Sequence, residues 1–350
     1  YGVEANVSID KDHIKITSQQ ATTLESKIKR VDIDIDSFLR AVLRLKGTVD
    51  GPGKDFLQFL GDTNLVRKNN SPLDQISLSG DSRLDINFSR SLSKRLILPI
   101  EVSGSINFLG NTLDVKKVGI ELNDLAGELK FTQEGASGEG LTATVYGQPV
   151  MLAMKPAGDG ASNLSFNGLF DLGVYLKQRY PRFSPFFTGV TPIRGELYLP
   201  SFLKKNNPDK LKLKLDSKLI GVKSELPSPL NKAIDDSLSA VMSFDQNKGD
   251  MTWQIADLLS LHFSIKPEQP FELNLIKLGE PGQSQIIDEG LKIEGSWKTI
   301  DPLLWLGAYK QYSDLDNQTQ KVRKPSIDVR FDSIQSPQWP SKNISISGDY

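Results

Sequence analysis

Three aspartates at alternate positions, Asp32, Asp34 and Asp36, form the pattern that most resembles a site for chemistry. Carboxylate oxygens on one strand face could bind a hard cation. The residues between them are apolar and β-branched, which is typical of a strand with one solvated face. We therefore interpret the carboxylates as solvent-facing and predict neither a metal ion nor a cofactor.

Other catalytic groups are sparse. The two histidines, His13 and His262, lie far apart in the sequence, and no G-x-S-x-G elbow accompanies them. The adjacent carboxylates Asp235 and Asp236 are of the kind that glycosidases use, but they follow a proline-rich segment and fit a solvated turn better. The glycine-rich pieces lack the lysine of a phosphate loop. We predict that the protein is not an enzyme and has no catalytic residue.

Composition excludes several further classes. The chain has 350 residues with no cysteine, which rules out disulfides, thiolate zinc sites and thiol catalysis. Its 42 basic and 43 acidic residues give no basic surface of the kind that binds nucleic acid. No apolar run reaches the length of about 18 residues that a membrane-spanning helix needs. Because the sequence starts without methionine and ends in a strand-like pattern, we expect a fragment of a longer protein, with any signal peptide or membrane anchor outside it.

Period-two alternation dominates the rest of the sequence. In "KLKLKLDS" leucines alternate with lysines, and "RLDINFS", "MTWQIA" and "LHFSIKP" repeat the pattern. Such one-sided strands, separated by short turns, favour antiparallel hairpins over a parallel sheet that is buried on both faces. We count roughly 18 to 20 strands, and open sheets seldom exceed about ten without curling. The predicted fold is mainly β: a long antiparallel β meander curled into an elongated apolar groove, with short amphipathic helices at repeat boundaries.

Three strand-to-helix transitions indicate a repeat. Gly47, Gly168 and Gly295 each end a predicted strand that precedes a short amphipathic helix, and they lie 121 and 127 residues apart. We expect one continuous repeat array over residues 1–350, with units 1–47 (partial), 48–168, 169–295 and 296–350 (partial).

The last of these helices has the clearest local signature. Asp301 is a good N-cap and Pro302 suits the first helical position. Trp305, Tyr309 and Tyr312 follow at a spacing that predicts a single aromatic face. We expect this helix to interrupt the meander and to contribute apolar surface.

Several segments together resemble a known family. They include "GPGKDFLQFL", "SGDSRLDINFS" and "GSINFLGNTLDV", and above all Phe186–Pro200, "FFTGVTPIRGELYLP", and Leu226–Ala233, "LPSPLNKA". In this order they resemble the YhdP branch of the AsmA-like proteins of Gram-negative bacteria, from about Leu45 to Tyr312. None of these segments is a catalytic signature.

The resemblance implies a function for the apolar face. Proteins of that branch have an inner-membrane anchor and a repeating β-groove that carries phospholipid acyl chains through the periplasm. By resemblance, this chain is a segment of such a bridge between inner and outer membranes. Its partners are phospholipid, the anchor outside the fragment and outer-membrane or envelope proteins, with no nucleic acid.

A second function remains open from the residues alone. Alternating apolar side chains are also typical of a structural or adhesive β-rich module with a closed dry core. Under the groove interpretation, the apolar side chains of the predicted strands line the groove: Leu84, Ile86, Phe88, Ile106, Phe108, Leu164, Phe166, Leu211, Leu213, Leu215, Met251, Trp253, Ile255, Leu261, Phe263, Ile265, Leu291 and Ile293.

Overall fold

The computed structural model describes most of the chain and divides it into two compact units. Unit 1 comprises Tyr1–Val145, Pro149–Phe166 and Tyr198–Asp209, and unit 2 comprises Tyr146–Gln148, Asn167–Leu197 and Lys210–Tyr350. The described residues are 2–37, 41–62, 76–93, 98–115, 120–201, 210–264, 272–280, 290–313, 325–335 and 341–349. The predicted division into longer repeats stays a prediction.

Strands make up 69% of the described residues, so the predicted mainly β fold with few helices is confirmed. The first eleven strands and the first helix are β1 (Gly2–Asp10), β2 (His13–Thr23), β3 (Ser26–Ile35), β4 (Val42–Pro52), α1 (Gly53–Asp62), β5 (Ile76–Ser79), β6 (Asp81–Ser91), β7 (Glu101–Val115), β8 (Ile120–Thr132), β9 (Gly135–Val145), β10 (Gln148–Gly158) and β11 (Ala161–Asp171).

Unit 1 is built as a meander with one exception. Strands β1 to β4 pair antiparallel in chain order, and β4 then pairs with β6 rather than with β5. The long strand β7 pairs antiparallel with β6 along its first half and with the short β5 along its second half. Strands β8 and β9 continue the antiparallel order. Because α1 and β5 intervene between β4 and β6, the meander skips one strand at this point.

Helix α1 is fastened to the hairpin turn between β2 and β3. One carboxylate oxygen of Asp55 accepts hydrogen bonds from the Ser26 hydroxyl at 2.7 Å and from the Glu25 backbone N–H at 2.9 Å. Ser26 and Asp55 are both buried. On the helix itself, Phe56 is buried and Leu57 is half-buried, whereas the Leu60 side chain lies outside the described residues. A buried carboxylate with two donors thus holds the helix end to the sheet.

Asp55→Ala should therefore destabilise the fold by about 2–3 kcal/mol, because it leaves the buried Ser26 hydroxyl and the part-buried Glu25 N–H without their charged acceptor. Urea unfolding followed by circular dichroism measures this loss. The matched control is Asp81→Ala, where the carboxylate is exposed and a change within about 0.5 kcal/mol is expected. Equal unfolding midpoints for the two variants would contradict the assigned role of Asp55.

The remaining ten strands and two helices follow α1 and β11 in chain order. They are α2 (Leu172–Arg179), β12 (Phe187–Leu199), β13 (Lys212–Ser217), β14 (Val222–Ser224), β15 (Ala240–Asp245), β16 (Asp250–Ile255), β17 (Leu259–Ser264), β18 (Glu272–Leu278), β19 (Leu291–Ile300), α3 (Pro302–Ser313), β20 (Pro325–Ile334) and β21 (Ser341–Asp349).

The sheet of unit 2 is mixed, which corrects the expectation of a purely antiparallel meander. Strands β13, β15, β16, β17 and β18 pair antiparallel in that order. Strand β19 then runs parallel to β18, and β20 runs parallel to β19, before β21 returns antiparallel. A parallel step needs a crossover connection rather than a tight turn. Helix α3 lies in the connection between β19 and β20.

The three marker glycines do lie in strands that precede helices, but they do not end those strands. Strand β4 continues to Pro52, β11 to Asp171 and β19 to Ile300. Gly295 shows the physical reason for glycine in β19: its φ is +109°, and a Cβ atom there would come within 2.1 Å of the Leu278 carbonyl oxygen. This glycine permits close approach of the parallel strands rather than stopping one.

The predicted aromatic face of α3 is divided. Asp301 accepts hydrogen bonds from the backbone N–H groups of Leu303 and Leu304 at 3.0 and 3.2 Å, so the expected N-cap is present. Trp305 packs inward, whereas Tyr309 is exposed. Because the helix has apolar side chains on most sides, the spacing of its aromatic residues did not identify the buried side.

Candidate functional site

An apolar row crosses unit 2 from strand to strand. Leu215 on β13 lies opposite Met242 on β15, and Met242 lies opposite Trp253 on β16. Trp253 lies opposite Leu261 on β17, and Leu261 lies opposite Ile276 on β18. Directly paired residues share one face of a sheet. The register therefore places these five side chains on the same face.

The row continues through the parallel strands. Ile276 is paired with Ile293 of β19, and Ile293 is paired with Ile327 of β20. Seven strands at a spacing of about 4.8 Å give a row of roughly 29 Å. One leaflet of a bilayer core is roughly 15 Å thick, so the row is about as long as two acyl chains end to end. We call this surface the unit 2 apolar face.

Unit 1 has a corresponding apolar face. Ile16 on β2 lies opposite Ile33 on β3, which in turn lies opposite Leu45 on β4. Leu45 is paired with Phe88 on β6, and Phe88 with Val102 on β7. These pairs place apolar side chains on one face of five successive strands of the sheet, including the step from β4 to β6 that skips β5.

Seventeen of the eighteen predicted lining residues are described, and they share an intermediate environment. Leu84 is buried, the other sixteen are half-buried, and Ile265 lies outside the described residues. On β11, Leu164 and Phe166 alternate with exposed polar residues as expected. A closed dry core would bury most of these side chains, so their partial exposure leaves apolar surface available for contact. Their lining role stays a prediction.

The opposite face is charged. Lys212 lies 3.7 Å from Asp245, and Lys214 lies 3.9 Å from Asp216, with both lysines exposed. In unit 1, Arg83 donates two hydrogen bonds to Asp50, at 2.7 and 3.2 Å. These bonds hold the pKa of the Asp50 carboxyl below its usual range. The stabilisation from this ion pair is present above the unfolded pKa of the aspartate and is lost as pH falls through the folded pKa.

The three alternating aspartates belong to this charged face. Asp32 accepts from Arg30 at 2.7 Å, and Asp36 accepts from Arg44 at 3.0 Å. Asp34 lies 2.8 Å from the imidazole Nε2 of His13. Within the described residues no group of three or more acidic, histidine or cysteine side chains is arranged to hold a metal ion. Arg44 also lies 3.7 Å from Asp34, so each aspartate has a nitrogen-bearing partner on the same face.

One section of the unit 2 apolar face is covered. Leu278, Trp297, Val329 and Phe331 form a buried cluster on β18 to β20. Trp305 of α3 stacks on Trp297, with ring centroids 5.6 Å apart and planes 30° apart. Leu230, from the segment between β14 and β15, also packs against the cluster. We call Trp305 and Leu230 with their two segments the roof.

A hydrogen bond joins the two parts of the roof. The indole N–H of Trp305 donates to the Ser228 carbonyl oxygen at 3.1 Å. The Leu230 segment is itself held by two backbone hydrogen bonds. The N–H of Ser224 donates to the Lys232 carbonyl at 3.0 Å, and the N–H of Lys232 donates to the Ser224 carbonyl at 3.1 Å. The buried Lys232 ammonium donates to the Val222 carbonyl at 2.7 Å, and burial lowers its pKa. These hydrogen bonds therefore hold the two segments of the roof in a fixed arrangement.

Sequence reasoning missed the residues that form the covered section. Trp297 continues the alternation of Leu291 and Ile293 beyond Gly295, and this signal was available once the strand was extended. Leu230 has no comparable signal, since a leucine in a proline-rich segment does not indicate which strand it covers. Met242 and Phe244 were also missed, although "AVMSFD" contains the required alternation.

The two units therefore define a class of protein: a mainly β chain in which one sheet face is apolar across successive strands and the other is charged. A sequence profile described as YhdP protein matches residues 1–347. The chain belongs to the YhdP protein family, as the sequence resemblance predicted.

A curated relative gives the family a functional context. Over 223 residues, 61% of this chain, the sequence is 23% identical to the intermembrane phospholipid transporter YhdP of Escherichia coli (strain K12). The match spans only 17% of that protein's length. The relative is named as a transporter and not as an enzyme. No solved structure matches the chain. Across the described part of the chain, every helix is too short or too polar to cross a membrane.

Proposed function

We propose that the chain is a lipid-transfer segment whose apolar faces carry the acyl chains of phospholipids. The observation that carries this proposal is the row of half-buried apolar side chains that crosses seven strands of unit 2. Membership of the YhdP family and the transporter name of the E. coli relative support the same function.

The hydrophobic effect explains why such a face is sufficient. Exposing an acyl chain to water costs about 0.8 kcal/mol per CH₂, so a two-chain lipid faces a barrier of tens of kcal/mol in free solution. A face that replaces the bilayer interior lowers that barrier without any chemical step. The polar headgroup stays in water beside the face. Weak contacts repeated from strand to strand suit movement better than one tight site.

We place the segment in the periplasm, as part of a protein anchored in the inner membrane. In that setting the apolar faces would form part of a bridge between the inner and outer membranes. Envelope proteins at the two ends would be its protein partners. The family membership and the intermembrane role named for the E. coli relative support this setting.

Native mass spectrometry of the purified chain, combined with lipid extraction, tests the cargo. We expect more than one phospholipid per chain, because each unit presents an apolar face. The control is the same chain stripped of lipid in detergent and then incubated with phospholipid vesicles, which should regain the bound species. A folded chain that neither retains nor regains phospholipid would refute the proposal.

The alternative function is a structural or adhesive module. The buried cluster beneath the roof and the buried residues Leu141, Val150 and Leu152 in unit 1 favour a dry core locally. A dry module would be folded and free of lipid in the same experiment. The half-buried rows outside these clusters favour the transfer function over this alternative.

A further inference from the structure

One side chain of the unit 2 apolar row carries a hydrogen-bond donor. It is Trp253, since the other members of the row are leucine, isoleucine and methionine. Its indole nitrogen is out of contact with water, yet it has no hydrogen-bond partner in the described part of the chain. Buried indole N–H groups normally find an acceptor, and an unpaired one costs stability. The position therefore suits an acceptor that the chain itself does not supply.

The two other described tryptophans each have a backbone acceptor. The Trp297 N–H donates to the Leu258 carbonyl oxygen at 2.8 Å, and the Trp305 N–H donates to the Ser228 carbonyl oxygen at 3.1 Å. Both rings belong to the covered section of the face, whereas Trp253 is half-buried in the section without a roof. The unpaired donor thus coincides with the part of the face that is available for contact.

The neighbours of Trp253 on this face offer it no oxygen. Met242 and Leu261 are its directly paired neighbours, and the Phe263 ring lies 6.4 Å from its ring. A thioether and an aromatic ring are weak acceptors at best. All three neighbours are half-buried, and the unbranched methionine side chain is flexible. They can therefore move aside for a ligand on the row, and that ligand must bring its own acceptor.

We propose that the Trp253 N–H donates a hydrogen bond to an ester carbonyl of the bound phospholipid, so that the face prefers ester-linked to ether-linked lipids. The inference rests on the proposed lipid transfer and adds to it a contact at one named atom. The hydrocarbon part of an acyl chain has no acceptor. The ester carbonyl is the acceptor next to that hydrocarbon, whereas the phosphate oxygens lie farther out and stay hydrated beside the face.

The place of Trp253 within the row suits this contact. Four strand spacings separate it from Ile327, which is about 19 Å at roughly 4.8 Å per strand. One acyl chain occupies a bilayer leaflet whose hydrocarbon is roughly 15 Å thick. A lipid whose ester lies at Trp253 can therefore place a whole chain on the rest of the row.

The bond is weak enough to permit transfer. A neutral hydrogen bond stabilises a complex about as much as the burial of one or two methylene groups. It therefore gives the lipid one preferred position and a preference for ester linkage, without holding the lipid in place against movement along the row.

Competition between two phosphatidylcholines tests the proposal. One has ester-linked oleoyl chains and the other has ether-linked oleyl chains, so only the two carbonyl groups differ. The 350-residue chain is incubated with vesicles of equal parts of both lipids, and native mass spectrometry measures each bound species. Wild-type protein should hold about fivefold more ester than ether lipid. Trp253→Phe keeps a ring but removes the N–H, and it should bring the ratio close to one.

Trp305→Phe is the matched control for the ratio. It is the same substitution in the same unit, but its N–H is already bonded to the Ser228 carbonyl. The ester preference should therefore stay as in wild type. A looser roof acts on both lipids alike, so its effect cancels in the ratio.

A second measurement uses wild-type protein alone and serves if the Trp253 variant does not fold. The chain has four tryptophans, which give four indole N–H signals in proton–nitrogen correlation spectra. One of them should shift downfield when the ester lipid binds and should not do so with the ether lipid.

Three results would overturn the proposal. Equal occupancy by both lipids, with no indole signal that distinguishes them, would refute the ester contact and leave lipid transfer intact. An ester preference that Trp253→Phe retains would assign the discrimination to another group. Absence of both lipids from a folded chain would refute the proposed transfer, and this inference with it.

Discussion

Trp253→Glu and Phe263→Glu should each reduce the phospholipid bound to the chain by at least about tenfold. The two rings lie on adjacent strands β16 and β17, with centroids 6.4 Å apart. A carboxylate placed against an acyl chain loses hydration without gaining a partner, and a penalty of only about 1.4 kcal/mol is already a tenfold loss. Both positions are half-buried, so the unbound carboxylate can stay hydrated and the sheet should fold.

The control for these variants is Gln254→Glu. Gln254 is exposed and adjacent to Trp253 on β16, and alternation directs it to the opposite face of the sheet. It introduces the same charge with almost no change in shape. Lys212→Gln and Lys214→Gln, on the charged face, should also leave occupancy unchanged. If these controls lost lipid and the Trp253 and Phe263 variants kept it, the two faces would be assigned in reverse.

Much of the face assignment could be predicted because the side-chain period of a strand is fixed at two. Leu213 and Lys214 must lie on opposite faces wherever β13 is placed. The partner of each strand could not be predicted in the same way. Nothing in "RLDINFS" indicates that β6 pairs with β4 across an intervening helix and strand, because alternation fixes the faces of a strand but not its partner.

The parallel steps were missed for a related reason. Alternation is identical in parallel and antiparallel strands when one face is exposed, so β19 could not be distinguished from a meander strand. The helix signature at Asp301 was the relevant signal, because a helix between two strands is the usual connection of a parallel pair. It was used to predict a helix at a repeat boundary, but not the direction of the next strand.

Trp305→Phe should loosen the roof without unfolding unit 2. The substitution keeps an aromatic ring over Trp297 but removes the N–H that donates to the Ser228 carbonyl. A hydrogen bond of this kind contributes about 1 kcal/mol, so the open population of the roof should rise roughly fivefold. Hydrogen exchange of the Leu230 and Lys232 amides, which are bonded within the same segment, measures this opening.

Trp253→Phe is the matched control for that experiment. It is the same substitution in the same unit, but within the described residues the Trp253 indole N–H has no hydrogen-bond partner to lose. The control should leave amide exchange in the 226–234 segment unchanged. Equal exchange in the two variants would show that the bond to Ser228 does not hold the roof closed.

The effect of Trp305→Phe on lipid movement then decides how the covered section relates to the cargo. Ile276, Ile293 and Ile327 of the apolar row pack against the buried cluster. An acyl chain that follows the whole row is therefore expected to pass beneath Trp305 and Leu230. A roof that opens about fivefold more often should therefore raise the rate of phospholipid exchange by a similar factor. Faster exchange of amides with unchanged exchange of lipid would instead mean that the acyl chains stop before β18, at the pair formed by Trp253 and Leu261.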